Sequence, residues 1–246
     1  MTRPLLLHRV RAVNTAPESE NKIHDNRVAA QYGFRAGLVP GVTVYGYMTA
    51  PILASAPEWL ERGTMQVRFL EPFYDGDEVI VKADPQDDGS FLVTAERPDG
   101  TLCAKGAAAI GARSESAPAP YPEAPLPAAD LRPVPSRDNL IPGAALGTIT
   151  AKLESEDPAK LLQFSNDILV RNFRLGPWIH VASEIANWNR AHAGDQISAR
   201  ARIHDRFDRK GHEFVVVDVM LLRDGRELLQ TVRHTAIYSL RLSATP

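Results

Sequence analysis

The 246-residue sequence has one cysteine, Cys103, which excludes an internal disulfide and a cysteine-based metal cluster. It has no apolar run approaching the ~20 residues that span a bilayer. Its first residues, MTRPLLLHRVRAV, hold an apolar run too short for the core of a secretory signal. Neither sign of charge dominates: 28 Lys and Arg stand against 30 Asp and Glu, a net charge of −2. No basic stripe is interleaved with aromatics, which argues against a nucleic-acid partner. These absences lead to the expectation of a soluble cytoplasmic protein that contacts no membrane or nucleic acid. What is present is ordinary globular material, 44% hydrophobic and 24% charged, in a length that admits one large or two small domains.

Proline divides the chain. Seven of its nineteen prolines fall in residues 113–136, RSESAPAPYPEAPLPAADLRPVPS, a stiff extended linker unable to build a core. Before it, residues 1–112 form one unit. A strand over Leu5–Val13 is followed by a polar run, a long apolar helix, and strands at Met65–Phe69, Glu78–Ala83, Phe91–Glu96 and Leu102–Ile110. The last two are joined by the hairpin signal Asp99-Gly100.

Residues 137–246 read as a second copy. Gly194-Asp195 answers Gly76-Asp77, and Asp224-Gly225 answers Asp99-Gly100. Ala236-Ile237 closes the last strand as Ala109-Ile110 closes the first set. A helix over Trp178–Arg190, introduced by Gly176-Pro177, is expected to answer the first long helix. Two α+β units, each an antiparallel sheet wrapped on one helix, would leave open edges, so the two sheets should pair into one.

The richest stretch is Ser19–Ala56. Its helix starts at Pro40-Gly41 and places Val42, Tyr45, Met48, Thr49, Ile52, Leu53 and Ala56 at helical spacing. Its remaining positions are also largely uncharged, which marks a buried helix. Gly46 within it implies a close neighbour. The polar run ahead of the helix contains Ser19, Glu20, Asn21, His24, Asp25 and Asn26.

In this arrangement the chain resembles the double hot-dog proteins, specifically the MaoC-like dehydratase group. That group's hydratase motif runs Asp, any, Asn, Pro, any, His, any, Asp, then Ala, Phe, and a His-Gly pair before the central helix. Asn21, His24, Phe34 and Gly41 match in register. Ser19 stands at the first aspartate, Asn26 at the later acid and Pro40 at the second histidine. The stretch Val67–Pro72 with Gly76-Asp77 also looks like the strand and turn that follow the central helix in that group.

The resemblance implies an acyl-thioester hydro-lyase acting on a coenzyme A or carrier-protein thioester, without cofactor or metal, and assembled as a homodimer. Hydration of an enoyl thioester needs a base for water, an acid for Cα and donors for the carbonyl oxygen. His24 is the acid/base, since its reference pKa lies near neutrality. Asn21, with Ser19 or Asp25, would orient it. Gly41 and Val42 at the helix start, beside Pro40 and Tyr45, would bind the carbonyl. A histidine among acids also fits a plain turn in a solvated loop.

A rival constellation is His180, Ser183 and Glu184, with His180 and Glu184 four residues apart on the expected second helix. Some hot-dog thioesterases carry a carboxylate on the central helix, and Glu184 could serve so. A third reading is a non-catalytic acyl-CoA or small-ligand binding protein.

Overall fold

A computed structural model describes residues 4–111 and 116–241. The first half contains β1 (Leu6–Arg11), a 3-10 turn at Lys22–His24, α1 (Asn26–Gln31), α2 (Gly41–Ser55), α3 (Trp59–Arg62), β2 (Gly63–Phe69), β3 (Glu78–Pro85), β4 (Phe91–Glu96) and β5 (Leu102–Ile110). The second half contains β6 (Ala145–Lys152), α4 (Pro158–Asn172), β7 (Ile179–Asn187), β8 (Gln196–Arg209), β9 (His212–Arg223) and β10 (Glu227–Ser239).

All ten strands form one antiparallel sheet, in the order β1-β3-β4-β5-β2-β7-β10-β9-β8-β6. Each half, counted inward from its outer edge, uses its strands in the sequence first, third, fourth, fifth, second. The duplication is therefore one of topology, and the halves meet where β2 pairs β7, from Thr64 opposite Ala186 to Arg68 opposite Ala182. The strands alternate: on β2, Met65 and Val67 are buried while Thr64, Gln66 and Arg68 are exposed. The buried face carries α2 and α4.

The helix expected over Trp178–Arg190 is a strand, and the helix that answers α2 is α4. Asp157 caps α4 by accepting from the Ala159 N–H at 2.8 Å, and Pro158 occupies its first turn. β7 is also irregular. Between the pairs Thr235–Ala182 and Ala236–His180, β7 carries one extra residue, Val181. Such a bulge shifts the pleat by one position. His180 and Ser183 then both face inward, three apart, followed by Ile185 and Asn187. Within β7 this inward set shares only Ile185 with the helical face Val181, Ala182 and Ile185 that the sequence suggests.

Residues 112–115, where the proline-rich stretch begins, lie outside the described residues. From Tyr121 the chain crosses the outer sheet face, where the Tyr121 N–H points to the Met220 sulfur. It then lies along the free side of β6, where the Thr148 N–H donates to the Ala124 carbonyl at 2.9 Å and the Ala124 N–H to the Thr148 hydroxyl at 3.1 Å, and covers that edge. Arg132 ends the crossing by bonding the Val170 carbonyl at the end of α4 and the Glu20 carboxylate.

α2 is buried on nearly every side, by the sheet and by α4. A Cβ added at Gly46 would lie 3.1 Å from the Ala159 Cβ, so the two helices touch where one lacks a side chain. Gly46→Leu is expected to push α4 off α2 and cost about 1–3 kcal/mol of stability. Urea unfolding would show the loss, whereas Gly46→Ala should cost far less.

Candidate active site

The polar run closes onto the start of α2 and onto Trp178. The Asn21 side chain bridges the halves. Its Oδ1 accepts the backbone N–H of Trp178 at 3.1 Å and that of Ile23 at 3.3 Å. Two donors fix that atom as oxygen, so the other atom is the NH2 group. One of its hydrogens goes to the Trp178 carbonyl at 3.0 Å, and the other points to Nε2 of His24 at 3.2 Å. On the far side of the ring, Nδ1 lies 2.7 Å from the Leu38 carbonyl. A carbonyl only accepts, so Nδ1 carries the proton and Nε2 presents a lone pair. Burial lowers the His24 pKa, with the Leu38 hydrogen bond pulling the other way. The ring is thus a neutral base at pH 7.

His24 stands between two spaces. One is an inner cavity of about 250 Å³, walled by apolar side chains including Phe34, Val44, Phe69, Phe73 and Ile237. The other is a more polar groove of about 600 Å³ between α2 and α4, bordered by Ser19, Thr43, Lys160, Gln163 and Asp167. Asn21, His24, Pro40, Asn166 and Trp178 border both. Burial raises the pKa of Asp167, which accepts from Gln163 at 2.7 Å.

Gly41 opens α2 at the inner cavity, and Val42 borders the groove. The Thr43 and Val44 N–H groups turn back to the Pro40 carbonyl, and no side chain caps the helix. Among the described residues, the N–H groups of Gly41 and Val42 therefore have no protein acceptor.

The structure does not gather every residue picked from the sequence. Asp25 caps α1, accepting from the N–H groups of Val28 at 3.0 Å and Arg27 at 2.9 Å, and these bonds hold its carboxyl below the usual range. It does not border either space. Ser19 borders the groove, but its hydroxyl donates to the Asn21 carbonyl and not to His24. Tyr45 is in the core between helix and sheet, away from the cavity, and burial pushes its phenol pKa upward. His180 and Glu184 share a strand, not a helix. The bulge at Val181 sends them to opposite faces: His180 into the cavity wall, Glu184 to the exposed outer face.

Other residues border the site without having been picked out. Asn166 lies on α4, whose Asp-Pro start is legible in the sequence. Its Oδ1 and the Trp178 Nε1 are buried without hydrogen-bond partners. Behind His180 sit Ser183, a member of the rival constellation, and His234, to which the sequence assigned no role. Cys103, in the cavity wall, stays a thiol because burial raises its pKa to about 11.

Similar solved structures share this architecture. A Mycobacterium marinum acyl-CoA thioesterase II superposes with TM-score 0.60 at 15% identity, covering 83% of this chain and 90% of its own. A Chloroflexus aurantiacus protein described as a MaoC domain dehydratase gives 0.61 at 12%, covering 98% and 96%. An Alicyclobacillus acidocaldarius hot-dog protein of unknown function gives 0.57 at 15%, covering 98% and 94%. The chain has the double hot-dog fold. No family model matches the sequence, and no curated protein matches it by sequence. Hot-dog neighbours of both kinds, thioesterase and dehydratase, share the sheet and helices, so the shared fold does not choose between those reactions.

The buried histidines set a stability limit in acid. Burial lowers the His234 pKa to about 3, whereas the unfolded chain protonates its histidines near 6.5. Stability is therefore complete above pH 6.5 and is lost as pH falls below it, because only the unfolded state takes up the proton. At pH 5 this one residue is expected to cost about 2 kcal/mol. Urea titrations at pH 7.5 and pH 5 measure it, and His234→Gln should remove that share of the loss.

Proposed function

We propose that the protein is a hydro-lyase for 2-enoyl thioesters, with His24 as the acid/base. The carrying observation is the fixed tautomer of His24: an unprotonated Nε2, held by Asn21, in the wall of an apolar cavity beside a helix start with free amides. An apolar acyl chain suits the inner cavity, and the polar groove between α2 and α4 suits the carrier end of the thioester.

In this reading the thioester carbonyl lies against the N–H groups of Gly41 and Val42, which gain strength as negative charge builds on its oxygen. His24 Nε2 takes a proton from water while the water oxygen bonds to Cβ. The π electrons move through Cα to the carbonyl oxygen. The imidazolium then returns its proton to Cα, so that one group closes the cycle. Asn21 holds the ring with an N–H 3.2 Å from Nε2, and in the reaction the substrate water takes that place. Asn166 offers an acceptor on the same wall. Glu184 on the outer face weighs against a thioesterase that uses it. The carboxylate in the cavity wall is Glu71, which is exposed.

Crotonyl-CoA hydration measured beside release of free CoA thiol tests the assignment. Hydration without thiol release is expected, and His24→Ala should lower kcat/KM by about 10²–10⁴-fold. Glu184→Ala should leave it unchanged. The acid limb of kcat/KM should fall below pH 6.5, since protonation of a depressed histidine removes the base. Thiol release with no hydration would overturn the reading.

A further inference from the structure

Opposite His24, a second imidazole aims at the same helix start. His180 is 6% exposed, borders the inner cavity, and has no hydrogen-bond partner on Nδ1. A Cβ built on Gly41 would lie 2.9 Å from that nitrogen. The absence of a side chain at Gly41 is what lets the ring approach the uncapped amides of α2. Behind it, His180 Nε2 lies 2.8 Å from the Ser183 hydroxyl, which lies 3.2 Å from His234 Nδ1. The His234 Nε2 is buried and unpartnered.

One hydroxyl proton shared between two ring nitrogens allows two arrangements for neutral rings. In one, His180 donates to Ser183 through Nε2 and Ser183 donates to His234. That leaves an N–H on the buried His234 Nε2 with nothing to bond. In the other, His234 donates through Nδ1 and Ser183 donates to His180 Nε2. Then His234 Nε2 is a bare lone pair and His180 carries its proton on Nδ1, facing the cavity. Each arrangement leaves one buried N–H without a protein partner, on His234 Nε2 in the first and on His180 Nδ1 in the second, but only His180 Nδ1 borders the cavity, where a ligand can supply an acceptor. A ligand oxygen between His180 and the α2 amides satisfies that N–H and selects the second arrangement.

We propose that the Nδ1–H of His180 joins the amides of Gly41 and Val42 in binding the thioester carbonyl oxygen, and that Ser183 and His234 set the tautomer that makes it a donor. This rests on the acyl-thioester reading above. Burial, and then the neighbouring His234, hold the His180 pKa well below the usual range, with the backbone at Ala182 pulling weakly the other way. His180 therefore contributes a neutral hydrogen bond whose strength grows with charge on the oxygen, and it transfers no proton. His180 would be catalytic, and Ser183 and His234 positioning residues.

Butyryl-CoA labelled with 13C at the carbonyl, a saturated thioester that cannot be hydrated, is the probe. Isotope-edited infrared spectra of its complex with wild-type protein should show the carbonyl stretch lowered from its value in water. In His180→Ala the stretch should return most of the way. Hydration of crotonyl-CoA by that variant should fall about 10²–10³-fold in kcat, with the acid limb of the pH profile, set by His24, unmoved. Ser183→Ala should scatter the stretch toward the unbound value without removing the ring. An unchanged stretch in His180→Ala would overturn the role of His180 while leaving the lyase reading intact. An unshifted stretch in the wild-type complex would overturn the shared carbonyl site, and both readings with it. A measurement that needs no variant is 15N NMR of histidine-labelled protein with butyryl-CoA bound. Protonation of His180 on Nδ1 supports the proposal, and protonation on Nε2 overturns it.

Discussion

The amide of Asn21 gripping both backbone groups of Trp178 is the contact on which the site depends. It joins the polar run of the first half to the chain leading into β7 of the second. Its oxygen takes two backbone N–H groups and one of its own N–H groups meets the Trp178 carbonyl, which leaves one N–H for His24 Nε2, while the Leu38 carbonyl takes the ring's proton on Nδ1. A buried amide with every hydrogen bond assigned has no second orientation at similar energy. Asn21 thus ties the placement of the two halves to the ring of His24, whose tautomer the Leu38 carbonyl fixes from the other side.

The sheet makes this grip possible. Pairing β2 with β7 removes the inner edge of each half and turns two small layers into one ten-stranded surface. α2 and α4 then share that surface and touch at Gly46 and Ala159. The cavity lies where α2 begins, bounded by the sheet seam, the polar run and α4. Neither half encloses it alone: His24 and Gly41 come from one, and Asn166, Trp178 and His180 from the other. Placing chemistry at the junction of two units follows the general preference of ligand sites for such seams.

Polar groups are concentrated at this seam. Asn166, Trp178, His180 and His234 each bury an atom with no partner. Most buried polar atoms in folded proteins are paired, and each one left unpaired costs stability. Several of these lie on one wall, beside free helix amides, which matches a surface built to meet a polar ligand group inside an apolar enclosure.

Much of this was open to reading from the residues alone. The apolar helix α2, the meander of β2 to β5, the turns at Gly194-Asp195 and Asp224-Gly225, and the pairing of the halves follow from local periodicity and turn chemistry, which act over a few residues. His24, Asn21 and Gly41 stood out because a polar run abuts a buried helix. The second half resisted where the backbone departs from regularity. One inserted residue at Val181 changed which side chains of β7 face inward, while α4 hid polar Ser165, Asn166 and Asn172 among its buried positions. Which face each residue of β7 presents is set by its partner β10 through a bulge, and a bulge is a property of two strands. The same holds for Asp25 and Glu184, whose chemistry suits a site but whose side chains were directed to a helix cap and to the outer sheet face. Residue type and short-range pattern are written in the chain. Which side chains meet across the seam, and which ring nitrogen keeps its proton there, arise only when distant segments supply the hydrogen-bond partners.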